Sequence, residues 1–92
     1  MFRLYDLHLN GNKLTSLAED FMGLFRLKTL DLSGNQLTAL PGNFTKLNNL
    51  ETLDLSGNRL TSLPVGFGKL TRLQHLHLQR NQKTIFFTCF KF

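Results

Sequence analysis

The fold that the sequence predicts is an α/β solenoid of about four coils. Parallel β-strands line its concave face, and short helical or 3-10 turns return the chain along the convex face. Three observations predict it: an internal period of 23 residues, a Leu-x-Leu alternation at one phase of that period, and an apolar rhythm of three or four residues in its second half. The period is read by subtraction: Leu30 to Leu53 is 23 residues, as are Leu32 to Leu55, Asn35 to Asn58, Leu37 to Leu60, Leu40 to Leu63, Phe44 to Phe67 and Leu47 to Leu70. Stepping back lands on Leu7, Leu9, Asn12, Leu14, Leu17, Phe21 and Leu24, and stepping forward on Leu76, Leu78 and Asn81. The units therefore start at Leu4, Leu27, Leu50 and Leu73, so residues 1–82 form the array and 83–92 a degenerate last repeat or a truncation tail.

The strand comes first in each unit. Side chains alternate along a strand, so Leu-x-Leu sends both leucines to one face and the residue between them to the other. The turn follows at Asn10-Gly11-Asn12, Ser33-Gly34-Asn35 and Ser56-Gly57-Asn58, where polar residues and a glycine tolerant of positive φ bend the chain. Leu37, Leu40, Phe44, Leu47 and Leu50 then recur at helical spacing, with Pro41 suited to a first turn that needs no N–H. One coil cannot hide its own leucines. Neighbouring coils must supply the core, and at least about three repeats are needed for stability. With a buried leucine worth roughly 1.5 to 3 kcal/mol, Leu55→Ala in a middle coil is expected to be severe.

Leu27-Lys28-Thr29-Leu30-Asp31-Leu32-Ser33-Gly34-Asn35-Gln36-Leu37 and its copy at 50–60 match the pattern L-x-x-L-x-L-x-x-N-x-L in full, and on these residues the chain resembles the leucine-rich repeat family. Leu40-Pro41-Gly42-Asn43-Phe44-Thr45-Lys46-Leu47 and Leu63-Pro64-Val65-Gly66-Phe67-Gly68-Lys69-Leu70 resemble its 23-residue intracellular subclass, found in Ras-pathway scaffolds, junctional scaffolds and multidomain kinases. The resemblance implies a cytoplasmic location, partner binding on the concave face, and asparagines 12, 35, 58 and 81 stacked inside the curve and bonded to adjacent coils.

Residues facing away from the core form columns across the repeats: Asp6, Thr29, Thr52 and His75; then His8, Asp31, Asp54 and His77; then Asn10, Ser33, Ser56 and Gln79. The first two columns are the candidate partner-binding site. Asp31 and Asp54 repel each other at rung spacing, so a basic group on a protein partner is the contact they favour. Arg26, Lys46, Lys69 and Arg72 fall on the convex turns and their approaches, which keeps the net charge of +5 out of the groove.

Composition and motifs narrow the remaining classes. A chain of 92 residues with 41% hydrophobic and 18% charged residues is too apolar for disorder and too interrupted for a membrane span. Its single cysteine, Cys89, cannot form an internal disulfide, and Met1 to Asp6 lack the basic start and apolar run of a secretory signal. His75, His77 and Asp54 lack a fourth metal ligand, so no metal is expected, and no other cofactor has a motif. No Ser-His-Asp or Cys-His arrangement can be assembled, so an enzyme is not expected. The bases are dispersed by the repeat and the phenylalanines belong to the core, which argues against specific nucleic-acid binding. Asn43-Phe44-Thr45 is a glycosylation sequon without an export signal. Cys89-Phe90-Lys91-Phe92 has the spacing of a prenylation box, but Lys91 replaces the usual aliphatic residue and no basic cluster precedes it, so no membrane anchor is expected.

Met1-Phe2-Arg3-Leu4 is in phase with Leu24-Phe25-Arg26-Leu27, as though the chain began in the closing turn of another repeat. Lys83 stands in the phase of Leu37 and Leu60, so the end coils are expected to be uncapped and prone to self-association. The function that follows is a protein–protein interaction module for intracellular scaffolding or signalling. The alternatives are a regulatory fragment of a larger multidomain enzyme with such repeats, or a truncated product without an independent role.

Overall fold

The computed structural model describes residues 4–18 and 23–81. Strands β1 (Asp6–His8), β2 (Thr29–Asp31), β3 (Thr52–Asp54) and β4 (His75–His77) form one parallel sheet in the order β1-β2-β3-β4. Every strand is three residues long and centred on the first leucine of the Leu-x-Leu pair, with the second leucine just past its end. The register follows the sequence period without a slip: Leu7 pairs with Leu30, Leu30 with Leu53, and Leu53 with Leu76. Slipping by one residue would carry the leucines to the solvent face, so their burial holds the register.

Backbone pairing continues past the strands. Leu9, Leu32 and Leu55 N–H each donate at 2.8 Å to the carbonyls of Asp31, Asp54 and His77, and Gly34 N–H donates to Ser56 at 2.9 Å. Gly57 stands at φ 69° against the coil before it. A Cβ added there would lie 3.3 Å from the Gly34 nitrogen, so the turn is closed to side chains on two counts.

The motif asparagines saturate the interior of these turns. Asn35 accepts from Asn12 N–H at 2.9 Å and Leu14 N–H at 3.0 Å, and its amide donates to the carbonyls of Leu32 and Leu9. Asn58 repeats the pattern one coil on, accepting from Leu37 N–H at 3.1 Å and donating to Leu32 and Leu55 at 2.9 and 3.0 Å. Asn81 does so again with Leu60, Leu55 and Leu78. An unbonded buried amide would cost about 1 to 3 kcal/mol, so each asparagine is tolerated because it bonds its own coil and the one before it.

The convex returns are 3-10 helices at Gly42–Lys46 and Phe67–Lys69. Pro41 stands just outside the first as its N-cap, with ψ 150°, rather than within the first turn, and its carbonyl accepts from Phe44 N–H at 2.9 Å. Phe44 and Phe67 are fully buried and stack at 6.4 Å with a 10° tilt, an offset aromatic pair linking successive returns. Between sheet and returns lies a continuous core that includes Leu30, Leu32, Leu37, Leu50, Leu53, Leu55, Leu60 and Leu70, all fully buried. Leu7, Leu9, Leu14 and Leu76 in the first and fourth coils are only partly buried. Among the described residues no helix is long and apolar enough to cross a membrane. The degenerate stretch 83–92, with Lys83 and Cys89, lies outside the described residues, as do Met1 to Arg3.

Candidate functional site

The parallel register brings the two candidate columns onto one face. Asp6, Thr29, Thr52 and His75 align across β1 to β4, and so do His8, Asp31, Asp54 and His77. Asp6, His8, His75 and His77 are exposed, while Thr29, Asp31, Thr52 and Asp54 in the middle strands are half-buried. The alternation that hides Leu30 and Leu53 is what turns these eight side chains outward. No lysine or arginine occupies either column.

Two carboxylates form the centre of the face. Asp31 Oδ1 accepts from the Ser33 hydroxyl at 2.6 Å and from the Ser33 amide at 3.0 Å, and Asp54 Oδ1 makes the same pair with Ser56. Each Asp-x-Ser step thus fixes one carboxylate oxygen through the local turn that Asp favours. On Asp31 the other oxygen, Oδ2, stands 3.9 Å from His8 Nδ1. Partial burial pushes the Asp31 carboxyl pKa up, but the Ser33 hydroxyl, the Ser33 amide and the neighbouring His8 outweigh it together, so it lies below the ordinary carboxylate value. Among the described residues neither Asp31 nor Asp54 is in ion-pair contact with a lysine or arginine.

This arrangement holds two oriented carboxylates, flanked by imidazoles, on a rigid sheet. It can accept hydrogen bonds and pair with a cation. His77 pairs in register with Asp54 and His75 with Thr52, and among the described residues no three His, Cys, Asp or Glu side chains come together as metal ligands. The sequon asparagine, Asn43, lies in the Gly42–Lys46 turn with its Oδ1 buried and without a hydrogen-bond partner.

Two features were not foreseen from the sequence. Ser33 and Ser56 stand in the third column, yet their role is to hold the aspartates, which the recurring Asp-x-Ser spacing could have signalled. On the convex side Arg72 Nη1 donates to Asn49 Oδ1 at 2.8 Å, across one full period of 23 residues. The same subtraction that found the leucines would have paired them.

The comparisons with known proteins agree with this geometry. A family model described as leucine rich repeat matches residues 26–82. Among solved structures, a leucine-rich repeat protein of Leptospira interrogans superposes with a TM-score of 0.83 at 42% sequence identity, over 86% of this chain. The match covers only 20% of that longer protein. A search of curated proteins found no match. The period, the asparagine ladder, the parallel sheet and these matches lead to one conclusion: the chain belongs to the leucine-rich repeat family.

Proposed function

We propose that the chain is a protein–protein recognition module whose concave columns Asp6, His8, Thr29, Asp31, Thr52, Asp54, His75 and His77 contact a protein partner bearing a basic group. Leucine-rich repeat domains generally mediate protein–protein interaction and are typically not enzymes. The observation that carries the reading is the pair of carboxylates in adjacent strands, each clamped by a serine and neither in ion-pair contact with a lysine or arginine among the described residues. Clamping removes much of the ordering cost of binding, and adjacent like charges gain by receiving a cation between them. The resemblance to the intracellular 23-residue subclass supports a cytoplasmic scaffolding or signalling setting, and the partly buried leucines of the first and fourth coils support self-association.

Affinity purification with charge reversal tests the contact. Asp31→Lys with Asp54→Lys is expected to release the partners captured by the unaltered chain. The gentler Asp31→Asn with Asp54→Asn keeps an Oδ1 acceptor for each serine and is expected to weaken binding about ten-fold, which corresponds to about 1.4 kcal/mol. Partners retained by both variants at unchanged affinity would place the contact elsewhere.

A further inference from the structure

On the convex side, between the second and third coils, Asn48, Asn49, Lys69, Thr71 and Arg72 line an open hollow of about 260 Å³. Its walls carry two cations and three neutral polar side chains, and no carboxylate. Among the described residues neither Lys69 nor Arg72 is in ion-pair contact with an acid. Both cations are nevertheless positioned. Asn49 Nδ2 donates to the Phe25 carbonyl at 2.9 Å, which turns its Oδ1 to receive Arg72 Nη1 at 2.8 Å. The guanidinium is thus tied through successive coil ends, with further N–H groups left for a ligand. The Lys69 stem lies against Gly66, where a Cβ would sit 3.5 Å from Lys69 Cε and 3.6 Å from Cδ.

The repeat supplies part of this chemistry, and the later coils rearrange it. One period earlier the equivalent positions are Phe25, Arg26, Lys46, Asn48 and Asn49, with an aromatic in place of Asn48, an arginine in place of Asn49, and amides in place of Thr71 and Arg72. There the Arg26 guanidinium lies 6.0 Å from the Phe25 ring centroid instead. The later pair of coils differs in having a neutral polar side chain where the earlier has Phe25, and in bonding its arginine to an amide instead of setting it against a ring.

We propose that this hollow binds the tetrahedral oxyanion of a phosphoryl or sulfuryl group. Arginine offers a planar fork, lysine a compact point charge, and Thr71 and Asn48 neutral donors, so several oxygens of one ligand can be met from different directions. At about 30 Å³ per water molecule, the hollow has room for such a group together with its remaining hydration. The site is on the opposite side from the concave face and is independent of the function proposed there.

The test is a titration of the whole 92-residue chain, followed by amide and arginine Nε NMR signals, with inorganic phosphate and separately with inorganic sulfate. Ionic strength is held constant with sodium chloride. The expected result is saturable shifts at Asn48, Asn49, Thr71 and Arg72, with Kd at least about ten-fold higher in Lys69→Gln and Arg72→Gln and unchanged in Lys13→Gln. Phosphoserine and sulfated tyrosine, titrated in turn, separate the two sources of the oxyanion. Non-saturating shifts, or shifts that survive Lys69→Gln in a chain of unchanged melting temperature, overturn the proposal even if Arg72→Gln proves unstable.

Discussion

Asn58 satisfies backbone groups on two coils at once, accepting from Leu37 N–H and donating to the carbonyls of Leu32, Leu55 and Ser56. Asn58→Ala leaves these groups buried without partners, at about 1 to 3 kcal/mol for each that water cannot reach. A loss of about 2 to 4 kcal/mol is expected in urea unfolding, against little change for the exposed side chain of Asn10. Asp31 adds a pH dependence. Its folded pKa lies below the ordinary 3.8, so its stabilising contribution is present above that value and is lost as pH falls through the lowered one. In a carbon-13 titration Ser33→Ala should move the Asp31 carboxyl upward, and the stability gap between the two chains should close in acid. The role of the asparagines was implied by the resemblance to the leucine-rich repeat family, whose motif carries an asparagine at that position. The serine clamps were missed although the recurring Asp-x-Ser spacing carried their signal, because the third outward column was read as a column and not along the chain.

The turn after each strand depends on a residue at positive φ, which Gly11, Gly34 and Gly57 supply. One period beyond Gly57 stands Arg80, at φ 62° without glycine's freedom. The left-handed conformation costs a residue with a Cβ roughly 1 to 2 kcal/mol, part of which a glycine returns as entropy lost on folding. Arg80→Gly should therefore raise stability modestly, by up to about 1 kcal/mol, whereas Gly57→Ala should lower it by more than about 1 kcal/mol because its Cβ also meets the Gly34 backbone. Differential scanning calorimetry of the two variants checks both signs, and a gain on Gly57→Ala would contradict the turn geometry. At this scale the strands were readable from the Leu-x-Leu alternation and their register from the 23-residue period. The convex returns were readable only as to kind: Pro41 proved to be a cap outside its 3-10 helix, and the second return opens from Gly66 at φ 80° rather than from its own proline, Pro64. Helical spacing records which residues face the core, and it leaves the first bonded turn undetermined.

Along the whole solenoid, a coil's stability depends on how many neighbours it has. Leu30 and Leu53 are fully buried between coils, whereas Leu7 and Leu76, the same position in the outer described coils, retain contact with solvent. In an array held by nearest-neighbour interfaces, identical chemistry must then carry different weight by position. Leu53→Ala is expected to cost about 3 to 5 kcal/mol, because the cavity is walled by coils that cannot collapse into it. Leu7→Ala removes the same atoms from a site already partly wet and should cost less than about half as much. Urea unfolding of the two single variants and the double variant measures this directly. The sites are two rungs apart and share no direct strand pairing, so their costs should add within about 0.5 kcal/mol. Equal losses at the two positions would mean that the first coil is covered as completely as the third.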